Sequence, residues 1–154
     1  MSYAVIRLRG QTKLRHDQKK TLESLRLLKV NHATIVPETD EYEGMLNRVE
    51  HFVTYGELTP ETAEELLAER GRIRGGDPLT DDHVDEETEH GNLSDLAEAL
   101  AEGEADVAHL DSIKPVFRLA PARGGLTNTK RHVNEGGSLG YRGQEIGDLI
   151  ERML

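Results

Sequence analysis

Two clusters of basic residues near opposite ends of the chain are the strongest chemical feature of this sequence. The first belongs to residues 1–36, a region with eight lysines and arginines but only two acidic residues. Ammonium groups attract phosphates, and the planar guanidinium of arginine binds two phosphate oxygens at once. The cluster predicts contact with a polyanion, although an ordinary solvated surface has the same composition. Its members are Arg7, Arg9, Lys13, Arg15, His16, Lys19 and Lys20.

The second cluster combines basic residues with glycines between residues 121 and 143. Glycine lets the backbone approach a ligand closely, and arginine forks onto phosphate oxygens, so such a loop suits an irregular anionic surface. Composition alone favours a surface loop without a ligand just as much as a loop that binds an anionic surface. The candidate residues are Arg123, Gly124, Gly125, Lys130, Arg131, His132, Gly136, Gly137 and Arg142.

Other groupings predict less chemistry. Asn31 and His32 precede an apolar run, where they serve as turn residues or as ligand contacts. The acidic and histidine residues between 81 and 90 form a solvated surface more readily than a metal cage, so no metal site is predicted. The glycines at 124–125 lack the spacing of a phosphate-binding loop. Because no nucleophile and base pair stands out, the sequence predicts no catalytic residue and no cofactor.

Composition predicts one compact domain with a modest core. The chain has 154 residues, of which 36% are hydrophobic and 4% aromatic. It has no cysteine, which excludes disulfides and thiolate metal ligands and favours a reducing compartment. The start of the chain is unlike a signal peptide and no apolar run is long enough to span a bilayer, so we expect a cytoplasmic protein without membrane contact.

The charge is unevenly distributed along the chain. The net charge is −10, which by itself argues against a nucleic-acid partner. Residues 75–113, however, hold 13 acidic residues and no lysine or arginine, whereas the remainder carries 19 basic against 16 acidic residues. The average charge therefore hides a cationic surface that could bind a polyanion.

The apolar pattern predicts alternating strands and helices in the first half. Residues 3–9 place Ala4, Ile6 and Leu8 on one face and Val5, Arg7 and Arg9 on the other, which is typical of a half-buried strand. Residues 17–29 predict an amphipathic helix with a basic polar face, and 33–36 a second strand. Thr39 begins a further helix, in which apolar residues recur through Val49 with helical spacing.

The second half predicts several helices and one more strand. Thr59 followed by Pro60 starts a helix that runs to Arg70. Gly103 ends another helix, which spans 94–102 in the acidic segment. The remaining predicted elements are a short helix at 80–87, a strand at 116–119 and a final helix that carries Ile146, Leu149, Ile150 and Met153 on one face.

The residues themselves resemble a known family. The stretch from Val5 to Val53, with its basic loop, its leucine-rich helix running into KVNHATIV and the pattern GMLNRV, is similar to the core of the universal L-thirty family of large-subunit ribosomal proteins, called L-seven in eukaryotes. APARGG and EGGSLGYRGQEIGDLIERML resemble the ending of the longer archaeal and eukaryotic members. Together these segments cover about two thirds of the chain.

The resemblance implies an α+β fold with a ferredoxin-like β-α-β-α-β core, a small antiparallel sheet, a helical archaeal extension and a C-terminal helix. The corresponding expected segments are 1–57 for the core, 58–112 for the acidic extension and 113–154 for the strand, glycine-rich loop and last helix. It implies a non-catalytic role in the large ribosomal subunit, with ribosomal RNA and neighbouring ribosomal proteins as partners and no small-molecule substrate. It adds Asn31, His32, Arg48 and His51 to the expected RNA contacts.

Two departures from the family pattern qualify this picture. Glu43 stands where bacterial members commonly carry a basic residue, which argues against RNA contact at the start of the second helix. The segment 75–113 is far more acidic than the family in general, as expected of a halophilic host, where carboxylates keep a protein surface hydrated in concentrated salt.

Two alternatives remain open on the sequence. One is a small ferredoxin-like enzyme that acts on a phosphorylated substrate near the second cluster, which requires a concave pocket with a titratable pair of perturbed pKa. The other is an interaction module whose acidic arm docks a basic partner. Neither explains both basic clusters.

Overall fold

The computed structural model describes residues 1–10 and 12–154, and within those ranges the chain forms five strands and six α-helices. Residue 11, inside the predicted loop 10–15, lies outside the described residues. The strands are β1 (Ser2–Arg7), β2 (His32–Pro37), β3 (Val53–Glu57), β4 (Phe117–Arg118) and β5 (Gly140–Tyr141). The helices are α1 (His16–Ser24), α2 (Asp40–Arg48), α3 (Pro60–Arg70), α4 (Asp81–Glu87), α5 (Leu93–Glu102) and α6 (Ile146–Met153).

The strands form a sheet in the order β4-β2-β1-β3-β5. β1 is central and pairs antiparallel with β2 and β3, so that Ala4 lies opposite both Ile35 and Gly56. β4 continues the antiparallel pattern beside β2, whereas β5 pairs parallel with β3. The α+β class and the β-α-β-α-β core are confirmed, and the parallel strand β5 makes the sheet mixed rather than purely antiparallel.

The prediction that the first strand is half-buried was wrong, because helices cover the sheet on both faces. Every residue of β1 is buried. Ala4 and Ile6 belong to the cluster that packs against α3, α5 and α6, whereas Tyr3 and Val5 belong to a second cluster with the leucines of α1 and α2. The alternation in sequence therefore separates two cores, not a core from solvent.

The first helix is shorter than predicted. It ends at Ser24, not at 29, because Arg26 adopts a left-handed backbone conformation with φ 61°. The amide of Leu27 then donates to the carbonyl of Leu22 at 2.9 Å. This turn buries Leu27 completely and leaves Leu28 57% exposed. Leu28 therefore does not belong to the buried apolar face expected of the predicted helix 17–29.

The remaining helices begin and end close to the predicted residues. The side chains of Thr39, Thr59, Thr80 and Asn92 each accept a hydrogen bond from a backbone N–H in the first turn of the helix they precede. Such caps satisfy amides that have no partner within the helix. Gly103 ends α5 with φ 84°, a conformation that glycine adopts without steric cost.

The acidic extension is built into the main core. Leu96 and Leu100 of α5 are fully buried in the cluster that also contains Ile6 of β1 and Phe117 of β4. The three predicted segments thus contribute side chains to one cluster. Within residues 1–10 and 12–154, every helix is too short or too polar to cross a membrane.

Candidate nucleic-acid interface

Five basic side chains cluster at the start of α1 and in the loop before it. We call this group the N-terminal cationic surface, and each of its members is exposed. Arg15 forms an ion pair with Asp17, with 3.5 Å between Nε and Oδ1, but both side chains are more than half exposed, so water screens their attraction. The surface therefore presents nearly its full positive charge to a ligand. Its members are Lys13, Arg15, His16, Lys19 and Lys20.

Arg7 supports this surface from inside the protein. Its side chain is buried, with Nε donating to the carbonyl of Arg9 at 2.9 Å and Nη1 to the carbonyl of Leu27 at 2.7 Å. Burial lowers the pKa of the guanidinium below its ordinary value. The guanidinium of Arg7 thus links the end of β1 to the turn after α1. Because it is buried and bonded to the protein's own carbonyls, Arg7 presents no free cation to RNA in this structure.

Arg9, unlike Arg7, reaches toward the other cluster. Its guanidinium lies 5.5 Å from the centre of the Phe52 ring, and Nη1 donates to the carbonyl of His51 at 3.2 Å. The His51 ring in turn meets His132 of the glycine-rich segment, with 3.1 Å between Nδ1 and Nε2. The structure thus joins part of the two predicted clusters, through Arg9, His51 and His132. We call the contact between the rings of His51 and His132 the histidine junction.

The glycine-rich segment is folded tightly around the histidine junction. A parallel β-bridge pairs His132 with Leu139. A Cβ at Gly140 would lie 2.7 Å from Nδ1 of His132. A Cβ at Gly137 would collide with the carbonyl oxygen of Arg131. These glycines are therefore required by close packing. Lys130, Arg131 and Gly136 are exposed on the same turn, and Gly136 has φ 83°.

The histidine junction also has the composition of a metal site. Glu50, His51 and His132 offer ligand atoms that all lie within 4.8 Å of one another. Two imidazoles and a carboxylate are ligands that Zn²⁺ accepts, with a fourth position left open. No sequence pattern indicated this grouping, since Glu50 and His132 are 82 positions apart.

Three other predicted contacts have partners within the protein. Arg48 is exposed but its Nη1 donates to the hydroxyl of Thr21 at 3.1 Å, which links α2 to α1. Asn31 occupies a turn with φ 71°, and its amide donates to the carbonyl of Arg7 at 2.8 Å. Arg142 is half-buried, with Nε donating to the Thr54 hydroxyl at 2.8 Å, and its pKa is lowered by burial.

His32 lies in a positively charged environment at the start of β2. Its Nδ1 is buried, and among the described residues it has no hydrogen-bond partner. Burial, together with the charges of Arg118, Lys29 and Arg7, lowers the pKa of its imidazole. His32 is therefore neutral at neutral pH, and its surroundings attract anions.

Arg123 lies apart from the N-terminal cationic surface. Its Nη2 donates to the carbonyl of Glu151 at 3.0 Å, and its carbonyl accepts from Nε of Arg152 at 2.8 Å. Gly124 and Gly125 follow with φ 78° and 75°. The neighbouring groove, of about 530 Å³, is lined mainly by carboxylates, namely Glu61, Glu64, Glu65, Glu69 and Glu151.

A tyrosine cluster forms a concave site in which the pKa values of all three tyrosines are raised. Tyr3, Tyr55 and Tyr141 line it, and Tyr3 donates to Glu38 and Glu43 at 3.1 Å each. Burial and these carboxylates raise the pKa of Tyr3 further above its ordinary value. Protonated phenols make poor bases at neutral pH, so this cluster does not supply the pair that the enzyme hypothesis requires.

Sequence reasoning missed a further group of basic residues. Arg70, Arg72 and Arg74 immediately precede the base-free segment 75–113, and Lys114 and Arg118 follow it. The signal in the sequence was this placement of basic residues on both borders of the acidic segment. Only the fold shows that the two borders meet.

Comparison with known proteins agrees with the resemblance described above. Residues 3–53 match the family model described as Ribosomal protein L30p/L7e. Over 151 residues the chain is 44% identical to the large ribosomal subunit protein uL30 of Methanocorpusculum labreanum, covering 98% of this chain and 99% of the relative. It is 41% identical to the uL30 of Methanosphaera stadtmanae over 152 residues, with 99% of each covered.

A third archaeal relative extends the match. The uL30 protein of Staphylothermus marinus is 46% identical over 158 residues, which cover 99% of this chain and 98% of the relative. These relatives are named as ribosomal proteins and not as enzymes. The β-α-β-α-β core, the matched segment 3–53 and identities above 40% over nearly the whole length lead to one conclusion: the chain belongs to the uL30 family of large ribosomal subunit proteins.

Proposed function

We propose that this protein is a structural component of the large ribosomal subunit that binds and stabilises folded ribosomal RNA. It does so through the N-terminal cationic surface and the glycine-rich segment 121–143. Its partners are large-subunit ribosomal RNA and neighbouring ribosomal proteins, and its place is the cytoplasmic ribosome. The names of the relatives support the partner, and the arrangement of charge supports the surface.

The observation that carries this proposal is the accumulation of exposed, weakly paired cations in a protein of net charge −10. Adjacent like charges repel each other, which disfavours the folded chain unless a counterion is bound. RNA phosphates supply such counterions at close spacing. Their binding releases the salt ions condensed on the RNA, which is the main driving force for this class of contact.

The start of α1 is suited to a phosphate for a second reason. Cations near a helix N-terminus oppose the helix dipole, which favours negative charge there. Lys19 and Lys20 lie in the first turns of α1, and Arg15 occupies the position that Thr or Asn fills before α2 to α5. A bound phosphate would accept hydrogen bonds from free amides and balance the cations at the same point.

The histidine junction supports participation of the glycine-rich segment. It fixes the turn that carries Lys130 and Arg131 next to Arg9, so these side chains extend the cationic area. The glutamates that line the groove beside Arg123 repel phosphates, so they separate Arg123 from the cationic area. A contact of RNA with Arg123, Gly124 and Gly125 would therefore be a separate one. Recognition through phosphates and 2′-hydroxyls fits this dispersed arrangement, since A-form RNA is read mainly by shape.

A charge-reversal experiment tests the proposal directly. The double variant Arg15→Glu and Lys19→Glu should bind purified large-subunit RNA about 10- to 100-fold more weakly. Neither side chain packs in the core, so circular dichroism should match the unchanged protein and the melting temperature should not fall.

A charge-matched control separates local from total charge. Adding Glu86→Lys and Glu87→Lys to the double variant restores the net charge of −10 without restoring the surface. This fourfold variant should still bind weakly. Unchanged RNA affinity in the double variant, or full recovery in the fourfold one, would show that the N-terminal cationic surface is not the binding site.

A further inference from the structure

A second cationic groove lies at the β4 edge of the sheet. It encloses about 280 Å³, and within the described part of the chain its lining contains no carboxylate. The lining residues come from three regions, which are the end of α3, the segment before α4 and the segment around β4. They are Arg70, Arg72, Gly76, Lys114, Val116 and Arg118.

Backbone hydrogen bonds hold these regions together. The amide of Lys114 donates to the carbonyl of Arg72 at 2.9 Å, and the amide of Arg74 donates to the carbonyl of Ser112 at 3.1 Å. A bridge between Ile73 and Ile113 adds to this connection. The acidic segment therefore begins and ends at the same place, and the basic residues on its two borders become neighbours.

Most of the hydrogen-bonding capacity of the groove is unused. Arg70 donates Nη1 to the carbonyl of Arg118 at 3.3 Å, and Arg72 donates Nη1 to the carbonyl of Gly71 at 2.8 Å. Each guanidinium has further N–H donors. Considering residues 1–10 and 12–154, the side chains of Lys114 and Arg118 have no hydrogen-bond partner, and none of these four cations forms an ion pair.

The positive charge extends beyond the groove itself. An adjoining groove of about 480 Å³ shares Lys114 and Val116 with it and adds Arg26 and Arg74. The exposed Leu28 also lines this second groove. Cations beside apolar side chains suit a nucleic-acid strand, whose phosphates and sugars or bases alternate along its length.

The position of the groove separates it from the site already described. The histidine junction lies beside β5, at one edge of the sheet, whereas the groove lies beside β4, at the other. Four strand spacings separate the two edges, a distance of roughly 19 Å. One short RNA segment bound at the histidine junction would therefore not fill this groove as well.

We propose that the groove formed by Arg70, Arg72, Lys114 and Arg118 binds the phosphodiester backbone of a second RNA segment, so that the protein bridges two segments of folded RNA. This inference rests on the proposed function and adds a second site to it. The guanidinium fork binds phosphate and carboxylate oxygens alike, so RNA is favoured over an acidic polypeptide because the proposed function already brings RNA to this protein. The adjoining apolar surface is a further feature that an acidic chain would not use.

Neutralising the groove tests the proposal in the full-length protein. Lys114→Gln with Arg118→Gln should lower the affinity for purified large-subunit RNA about 10-fold and reduce the slope of log affinity against log salt by about 2. The control Asn92→Asp with Ser94→Asp changes the net charge equally at exposed positions at the start of α5, where aspartate also serves as a cap, and should bind as the unchanged protein does. Thermal melting checks that all variants fold.

The outcomes distinguish this inference from the proposed function. Normal RNA binding by the Lys114→Gln, Arg118→Gln variant, together with weak binding by the Arg15→Glu, Lys19→Glu variant, would overturn the groove proposal alone. Normal binding by both variants would overturn both proposals. A variant that binds RNA normally but loses affinity for polyglutamate would assign the groove to a protein partner and overturn the RNA assignment.

Tethered cleavage tests the bridging itself. The chain has no cysteine, so a single introduced thiol carries an iron chelate to one place only. Asp77→Cys places the chelate beside the groove and Thr12→Cys beside the N-terminal cationic surface, both at exposed positions. In the RNA complex, the two probes should cut separate sets of nucleotides. Identical cuts, or no cut from position 77, would contradict a second RNA segment.

Discussion

The start of α1 and the starts of α4 and α5 solve the same physical problem in opposite ways. Thr80 and Asn92 cap α4 and α5, and aspartates occupy the first turn of each helix, where they complement the dipole. α1 also has an aspartate, Asp17, in its first turn, but Arg15 precedes the helix and Lys19 and Lys20 follow Asp17. Side chains of the acidic segment 75–113 therefore complement its own helix starts, whereas the cations at the start of α1 are complemented only when a polyanion is bound.

The two regions differ at the surface but not in the core. α5 buries Leu96 and Leu100, and α1 buries Leu22, each in a cluster that includes β1. The acidic residues consequently cover a helix that supports the sheet. Their excess lies on the solvent-facing side of α5, whose opposite side packs in the core.

The largest expected effect tests whether the acidic segment is part of the fold. Leu100→Ala should lower the free energy of unfolding by about 2–5 kcal/mol, because it removes a fully buried side chain between α5, α3 and β1. Urea denaturation measures this decrease. Leu28→Ala, at an exposed position, is the control and should change stability by less than about 0.5 kcal/mol. Two separate unfolding transitions would show that the acidic segment folds independently.

The next effect concerns the salt dependence of RNA binding. Lys19→Gln with Lys20→Gln should reduce the slope of log affinity against log salt by about 2, because two phosphates are no longer neutralised by the protein. The matched change Glu86→Gln with Glu87→Gln in α4 should leave the slope unaltered. Filter binding over a series of KCl concentrations gives both slopes. Equal slopes in the two variants would remove the distinction between the regions.

A smaller effect exchanges the two kinds of helix start. Arg15→Ser introduces a cap before α1 and should stabilise the fold by about 0.5–1 kcal/mol while weakening RNA binding. Thr80→Ala should cost about 1 kcal/mol and leave RNA binding intact. Denaturation and RNA titration on the same samples measure both quantities. If Arg15→Ser strengthened RNA binding, the conflict between stability and function at α1 would not exist.

The smallest effect is a pH dependence from His32. Its pKa is lowered in the folded chain by burial and by Arg118, Lys29 and Arg7, whereas the unfolded chain titrates near 6.5. As the pH falls below about 6.5, the unfolded chain takes up the proton first, so the free energy of unfolding decreases until the pH is below the lower, folded pKa. Above about 6.5 His32 contributes no pH dependence. Denaturation at several pH values should show a flatter profile in His32→Gln.

Sequence patterns predicted the helices well wherever a local signal marked their ends. Thr59 with Pro60 placed the start of α3, and the helical spacing of the apolar residues from Ile146 to Met153 identified α6. These signals are local because capping and helical periodicity involve residues within a few positions of each other.

The features that sequence patterns missed depend on long-range contacts. The uninterrupted apolar run Tyr3–Ile6 fits a strand that is covered on both faces, but Arg7 and Arg9 gave the pattern of a half-buried strand, and only the packed helices decide between the two. Arg7 has the same residue type as Arg9, yet the carbonyl of Leu27, twenty positions away, occupies its guanidinium. The groove at the β4 edge required residues 70–74 and 114–118 to meet, and only the fold of the acidic segment between them brings this about.

The position of β1 has a consequence for how the molecule is made. β1 is the central strand, whereas the two edge strands come from residues 117–118 and 140–141, more than one hundred positions later. At typical translation rates of about 5–20 residues per second, β1 is made roughly 5–30 seconds before its sheet can be completed. At the start of that interval both faces of the central strand lack the helices that cover them in the finished fold.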